Sequence, residues 1–218
     1  MIGAHSPLRA PIVAHIERHI GPIKQVFGAA SAGGDDSPIE VLHVAATPER
    51  PVHTLITSGM SDRPMAVPQG TDSPRYLELM MTLPRQWQLD AHAPRDAKWY
   101  WPIGQLLQIA TIPGQSGAWL GWGHTVPNGD PPQPLAPGTK LCAAILVPSL
   151  LVPTAFYELA LADRSIAFYS VVPLYREELA LKEREGMKAL FEKLLDRDIR
   201  DLVDPKRRNV ATKRFGLF

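Results

Sequence analysis

The sequence predicts a single domain of mixed α and β structure (α/β, of the α+β kind), and three observations support this fold class. The 218 residues suit one domain, and no repeat or break in composition divides residues 1–218. Several short segments show the alternation or the continuous apolar runs of strands, whereas three others carry apolar residues at helical spacing. The 22 prolines are roughly twice the usual share, which favours many fixed corners over a long helical bundle.

The N-terminal third predicts one helix followed by strands. The helix is predicted to begin with Ser6 as its N-cap and Pro7 at the first helical position, and to end at Gly21 and Pro22. One apolar stripe runs along it, formed by Leu8, Ile12, Val13, Ile16 and Ile20. The segments KQVFGA, IEVLHVAAT and PVHTLITSG are predicted strands, and a short proline-marked turn joins the last two.

The middle of the chain predicts another strand and a second helix. In RYLELMMTLP the alternation places two sets of side chains on opposite faces, namely Leu77, Leu79, Met81 and Leu83 against Tyr76, Glu78, Met80 and Thr82. The helix is predicted to begin at Pro102 and to stop at Pro113. The connectors on either side of this helix hold all five tryptophans, at positions 87, 99, 101, 119 and 122. These tryptophans either form a satellite core beneath long loops or grip a partner, because tryptophan is enriched at interface hot spots.

The C-terminal third predicts a central strand, a hairpin and a divided helix. KLCAAILVPS is apolar on both faces, as expected of a strand that is covered on both sides. TAFYELAL and SIAFYSVV flank ADR as paired strands, and LYREELALKEREGMKALFEKLLDRD predicts a helix that Gly186 divides. Residues 205–218 form a basic tail, which we expect to be a solvated terminus in which Arg207 and Arg208 pair locally with Asp204. We do not expect it to bind nucleic acid.

Charge, hydropathy and cysteine content predict a cytoplasmic protein. The formal net charge of +1 gives no global field to attract nucleic acid or an anionic membrane. The N-terminus lacks the pattern of a signal peptide, and no apolar run reaches the length of a membrane helix. Cys142 is the single cysteine and lies within an apolar run, which excludes internal disulfides and suits a reducing compartment.

The motifs that carry catalysis or metal binding are missing from the sequence. There is no G-x-S-x-G, no P-loop, no G-x-G-x-x-G and no C-x-x-C pair. His15 and His19 have metal-ligand spacing but no evident third ligand, so we expect packing or surface roles for them. His43 and His53 can face each other on successive strands, which is weak evidence for a site. We therefore expect no metal, no cofactor and no small-molecule substrate.

Glu78 and His124 offer the one enzymatic alternative. Glu78 lies between apolar neighbours on a strand face, and a buried carboxylate must be hydrogen-bonded, paired or protonated. We expect a structural ion pair with an arginine, with a general base as the other interpretation. In that second case Glu78 and His124 would converge in a pocket of an uncharacterised hydrolase or ligand-binding enzyme.

An ordered series of segments resembles the Suppressor of fused family. HTLITSGMSDRPM, RYLELMMTLP, WPIGQLLQIA, GHTVPNGDPP, IAFYSVVPLYREELALKEREGMKAL and DPKRRN occur in the family's order between about His53 and Asn209. The resemblance implies a mixed, mainly antiparallel central sheet with helices packed on it. It covers the N-terminal domain of the two-domain eukaryotic protein, a non-enzymatic repressor that holds a transcription factor. The second domain, and with it that partner, is not expected here.

Shorter members that resemble this chain look bacterial, and many have been proposed as immunity proteins that neutralise toxins. The resemblance therefore implies a non-enzymatic protein-binding module with a protein partner. The positions that match family motifs are Gly59, Ser61, Asp62, Glu78, His124, Pro173, Glu177, Glu178 and Arg207. We expect Trp119 to anchor its loop to the core. The predicted partner contacts are Trp122, His124 and Asp130 as anchors and Glu177 and Glu178 as rim acids.

Overall fold

The computed structural model describes residues 6–30, 38–89 and 96–212. Three helices are present in this part of the chain: α1 Arg9–His19, α2 Ala97–Ser116 and α3 Arg176–Leu195. The strands are β1 Ile23–Ala30, β2 Ile39–Val44, β3 Val52–Ser58, β4 Leu77–Pro84, β5 Thr125–Pro127, β6 Leu141–Val147, β7 Glu158–Ala160 and β8 Ser165–Tyr175. They form one sheet in the order β1-β2-β3-β4-β8-β6-β5, with β7 paired to β8. Strands β4 and β8 run parallel and the other named pairs antiparallel, so the predicted mixed, mainly antiparallel sheet is confirmed.

The helices cover both faces of the sheet. Helix α2 packs on one face, while α1 and α3 pack on separate parts of the other face. Because successive strand residues point to opposite faces, β6 directs Leu146 towards α2 and Ile145 towards α3. Both side chains are fully buried, which confirms the predicted doubly covered strand. Cys142 is buried in this strand, and burial raises the pKa of its thiol.

Helix α1 begins later than the sequence predicts. Ser6 does not cap it, since the helix starts at Arg9 with Leu8 as its N-cap. Instead the Ser6 hydroxyl accepts a hydrogen bond from the backbone N–H of Leu8 and donates one of 2.6 Å to the carboxylate of Asp62. The turn before the helix is therefore attached to a distant loop, which no local helix signal could reveal. The predicted apolar stripe of α1 is confirmed in the core.

Helix α2 extends beyond both predicted ends. It begins at Ala97, where the Asp96 carboxylate accepts from the backbone N–H of Lys98, and it passes through Pro102 and Pro113. Each proline removes one intrahelical hydrogen bond, but the helix is retained because its apolar face, including the buried Trp101, packs in the core. Trp99 and Trp101 thus lie on a helix and not in a connector.

The tryptophans divide between core and surface. Trp87 and Trp101 are buried, and the Trp87 ring makes edge contacts with Trp99 and Trp101 at 5.3 and 5.9 Å between ring centroids. Trp119 packs against the same core, as predicted, whereas Trp122 is 56% exposed. The sequence left open whether the tryptophans form a core or contact a partner. Trp87, Trp99, Trp101 and Trp119 belong to the core or pack against it, whereas Trp122 is available for contact with a partner.

The C-terminal elements follow the predictions up to the end of α3 and depart from them afterwards. The β7–β8 hairpin forms, and Gly186 divides α3 with a non-helical φ of 85°. After α3 the chain returns to the sheet, where the Val203 N–H donates to the Thr82 carbonyl and Asp201 accepts from Ser149 and Leu150. Within the described ranges no helix has the length and apolar character needed to cross a membrane.

Candidate functional site

Glu78 lies in a buried cage of hydrogen-bond donors at the start of β4. Its carboxylate accepts from the backbone N–H of Gly59 and Ser61, both at 3.0 Å, and from the hydroxyls of Ser61 and Thr57, at 2.6 and 2.5 Å. Only glycine fits at position 59, because its φ is 117° and a Cβ would lie 2.8 Å from the carbonyl oxygen of Pro38. Burial raises the pKa of Glu78, while these donors oppose that shift.

The Glu78 cage corrects two expectations. The predicted ion pair with an arginine is wrong, because hydroxyls and backbone N–H groups satisfy the carboxylate. Glu78 has no exposed surface, so the hydrolase alternative lacks an accessible carboxylate at this position. The family-motif residues Gly59, Ser61 and Glu78 form one structural unit, and Asp62 beside them accepts the hydrogen bond from Ser6.

Glu178 and Arg207 form a second buried unit at the start of α3. The guanidinium binds both carboxylate oxygens, at 2.7 and 2.5 Å, and donates further to the carbonyls of Pro173 and Arg208. The side chains of Arg207 and Glu178 are 7% and 0% exposed. The backbone N–H groups of Tyr175 and Val210 complete the carboxylate's partners.

This buried pair corrects three predictions. Glu178 is not a rim acid, since it has no exposed surface. The Arg207 guanidinium pairs with Glu178 and not with Asp204. The contact between Arg207 and Asp204 is a backbone hydrogen bond, from the Arg207 N–H to the Asp204 carbonyl. Residues 205–212 are therefore not a solvated terminus, while residues 213–218 of the predicted basic tail lie outside the described residues. A glutamate at the third position of a helix is a capping-box signal, and it could have indicated the inward role of Glu178.

His43 and His53 face each other across β2 and β3, with 2.9 Å between His43 Nε2 and His53 Nδ1. The Ala46 N–H also points at His53 Nδ1, and His53 Nε2 lies 3.1 Å from the carbonyl of Arg85. These contacts assign a neutral pair in which Nε2 of each ring carries the proton. Burial lowers the pKa of His43 to about 4, and repulsion from His53, when that ring is protonated, lowers it further by a smaller amount.

We expect acid to destabilise the protein through His43. Below pH 6.5, the ordinary pKa of histidine, the His43 ring binds a proton in the unfolded chain, whereas in the folded chain it stays neutral down to about pH 4. The contribution of His43 to stability is therefore complete above pH 6.5 and is lost as the pH falls towards 4, by up to about 3 kcal/mol. Thermal unfolding of wild type and His43→Leu between pH 7.5 and 4.5 should show a shallower acid loss in the variant. Equal pH slopes would contradict the assignment.

The two other histidines of interest pack against aromatic rings. His15 is buried, stacks on Phe156 at 5.0 Å between ring centroids and contacts the ring of His19. No group of three or more histidine, cysteine, aspartate or glutamate side chains in the described part of the chain is arranged to hold a metal ion.

Most of the predicted partner contacts lie along one surface, which we call the α3–β5 seam: residues 122–134 and the facing side of α3. At one end the rings of Trp122 and Phe191 are 6.4 Å apart, and in the middle Lys182 contacts the Thr125 hydroxyl at 3.4 Å. At the other end the Arg176 guanidinium donates to the Pro132 carbonyl at 2.6 Å. A Cβ at position 123 would lie 2.0 Å from the Met187 sulfur, so glycine permits this close packing.

The seam presents four of the five predicted contacts to solvent. Trp122, Asp130 and Glu177 are exposed, and His124 is half-buried with its ring 4.2 Å from that of Trp119. Near the Pro132 end a groove of about 480 Å³ runs between residues 128–134, which we call the proline loop, and the start of α3. It is lined by Pro132, Pro134, Lys140, Arg176, Glu177 and Asn209, among others. Sequence reasoning missed Arg176 and Asn209, which carry no signal apart from this fold.

The loop at this end of the seam is held by its own hydrogen bonds. The Asn128 amide donates to the carbonyls of Gln133 and Pro134, and the Gln133 amide donates to the carbonyl of Pro131. The backbone N–H of Gln133 in turn donates to the Asn128 carbonyl. A loop restrained in this way loses little conformational entropy when it contacts another molecule.

Comparisons with known proteins agree with this fold. A family model for the Suppressor of fused protein matches residues 35–208. A solved structure of a Suppressor of fused homologue from Neisseria gonorrhoeae FA 1090 is 13% identical with a TM-score of 0.65, and the match covers 94% of this chain and 97% of that one. The structure of the Sufu–Fu complex is 16% identical with a TM-score of 0.63, and the match covers 95% of this chain and 93% of that one.

Drosophila Suppressor of Fused is 15% identical with a TM-score of 0.54, over 82% of this chain and 44% of that one. No curated protein sequence matches the chain. At these identities the solved structures show a shared fold. The family model includes every family-motif position named above.

Proposed function

The chain belongs to the Suppressor of fused family, and from this premise we propose that it is a non-enzymatic, cytoplasmic protein-binding module that neutralises a toxin, as an immunity protein. The Sufu–Fu complex is an assembly of a protein with this fold, which supports a protein partner here. No small molecule, cofactor or metal takes part in the proposed function.

One observation carries the proposal: residues far apart in the sequence are brought to one exposed surface. Asp130 belongs to the proline loop and Glu177 to the first turn of α3, yet both lie at the same end of the seam, where Arg176 contacts Pro132. His124 and Trp122 continue the surface along β5 towards the end of α3. An inhibitor of a toxin needs such a continuous patch, because a few central anchors and a polar rim supply most of the binding energy.

The loop end of the seam carries charges of both signs. Lys140, Arg176 and Glu177 line the groove, and Asp130 is exposed on the restrained loop, so a partner with the complementary charge pattern meets these groups in position. These charges also favour the encounter with a partner of complementary charge pattern. Trp122 adds a protein contact at the other end of the seam.

The test is co-expression with each toxin gene found beside this gene, followed by calorimetry with the purified toxin. We expect wild type to restore growth and Asp130→Arg to weaken binding by about 10- to 100-fold, because it reverses a charge at the contact. Glu49→Arg is the matched control, since it makes the same charge change on the exposed turn between β2 and β3. Unfolding curves for both variants establish that the fold is retained.

Two outcomes would count against the proposal. Failure of the wild-type chain to rescue growth or to form a complex with any toxin encoded beside it would overturn the immunity role. Equal binding by Asp130→Arg and Glu49→Arg would remove the contact from the loop end of the seam.

A further inference from the structure

Three hydrogen-bond donors lie together beside the turn between β2 and β3. Arg50 donates through Nη1 to the hydroxyl of Thr54 at 2.7 Å, and Thr54 lies directly opposite Thr82 in the pairing of β3 with β4. Residues paired in this way point to the same face of the sheet, with Cβ atoms about 4.5–5.5 Å apart. Both threonines are fully buried, on the face of the sheet against which α1 packs. The sheet register therefore brings the guanidinium and the two hydroxyls to one place.

Each of these groups has a donor that the protein does not use. Arg50 Nη2 and the Thr82 hydroxyl are buried and have no hydrogen-bond partner in the described part of the chain. The Thr54 hydroxyl accepts from Arg50, and none of the described residues accepts the proton of that hydroxyl. Buried polar groups in native proteins nearly always have a partner, because an unpaired donor is destabilising. Three such donors side by side therefore indicate a bound acceptor.

The charges around these donors are positive. After burial, repulsion from Lys24 and Arg50 contributes to the lowered pKa of both His43 and His53, so these four side chains form one basic corner of the domain. Glu49, the acid next to Arg50 in the chain, is exposed on the turn. Arg50 forms no ion pair with a carboxylate among the residues that the structure describes, and burial alone lowers its pKa. The guanidinium therefore lacks a counter-charge within the described ranges.

We infer that the Arg50 guanidinium and the hydroxyls of Thr54 and Thr82 bind a small inorganic anion of the halide class, such as chloride. A water molecule brings two protons that need acceptors, whereas Arg50 Nη2 and the Thr54 proton can only donate. A halide accepts from all three groups and supplies the counter-charge that a buried guanidinium needs. Strands β4, β8 and β6 separate this site from β5 and the seam, so the inference goes beyond the proposed function and does not depend on it.

Thermal unfolding of the full chain in sodium chloride and in sodium gluconate, at matched ionic strength, tests the inference. Screening of surface charges is then equal in the two salts. We expect chloride at about ten times its dissociation constant to raise the Tm of wild type by about 3–6 °C over gluconate, because an ion that binds only the folded chain stabilises it. Thr82→Val replaces the buried hydroxyl with a methyl group of similar size and should lose most of this rise.

Ser58→Ala is the matched control. Ser58 lies four residues beyond Thr54 on the same face of β3, is fully buried, and has a hydroxyl without a partner among the described residues. Its removal should leave the chloride effect unchanged. Crystals of wild type soaked in sodium bromide give a direct readout, with an anomalous peak expected within hydrogen-bond distance of Arg50 Nη2. An equal chloride effect in wild type and Thr82→Val would overturn the inference, and so would a bromide-soaked crystal without a peak at this position.

Discussion

Replacement of Arg207 by alanine is expected to lower the free energy of unfolding by about 3–5 kcal/mol, because it leaves the Glu178 carboxylate buried without its cation. The change also removes the hydrogen bonds to the carbonyls of Pro173 and Arg208. The guanidinium holds residues 205–212 to the domain together with other contacts, among them the hydrogen bonds from Thr139 to the Pro205 carbonyl and from Tyr175 to the Arg207 carbonyl. Urea unfolding measures the loss, and Arg208→Ala, at an exposed neighbouring position, is expected to change stability by less than about 0.5 kcal/mol.

A double-mutant cycle separates the ion pair from simple loss of packing. Glu178→Gln and Arg207→Met each break the pair, but the double variant leaves no unpaired charge and should cost less than the sum of the two by about 2–3 kcal/mol. Arg207→Lys should recover only part of the stability, because an ammonium cannot bind both carboxylate oxygens in the planar geometry of arginine. Additive effects in the cycle would mean that the two side chains contribute independently.

Replacement of Glu78 by alanine is expected to lower the free energy of unfolding by about 3–5 kcal/mol as well, for a different reason. It leaves the N–H groups of Gly59 and Ser61 and two hydroxyls without an acceptor in the interior, and each such group costs about 1–3 kcal/mol in a non-additive way. Glu78→Gln keeps one oxygen acceptor and should lose less. Glu49→Ala, on an exposed turn, provides the reference for removing a glutamate.

The pH dependence of the stability of Glu78→Gln shows whether the Glu78 carboxyl group titrates differently in the folded and unfolded chain. Burial raises the pKa of Glu78, so the folded chain binds its proton more readily than the unfolded chain does. The free energy of unfolding of wild type therefore falls as the pH rises from 4.5, the ordinary pKa, through the raised pKa of the folded chain. The difference in stability between wild type and Glu78→Gln narrows over the same range. A gap that is constant with pH would show that this carboxyl group does not titrate differently in the two states.

The candidate site could be predicted from the sequence only in part. The loop rich in glycine and proline predicts a surface position for Trp122 and Asp130, and both are exposed. Glu177 and Glu178 are adjacent and chemically alike, yet one faces solvent and the other is buried. That difference depends on Arg207, which lies 29 positions later and arrives only when the chain returns from α3.

Local patterns determined the elements of this protein. Alternation in β4, the doubly apolar run of β6 and the helical stripe of α1 are properties of neighbouring residues, so they could be read without knowing the fold. The ordered motifs determined the family in the same way. Tertiary structure alone decided where the polar side chains point and how far the helices extend. Helix α2 continues through Pro102 because core packing outweighs a lost hydrogen bond. Glu78 needs no arginine because strand β3 supplies one hydrogen-bond donor and the turn after it supplies three. Such outcomes depend on contacts between residues far apart in sequence, whose free energies exceed local preferences.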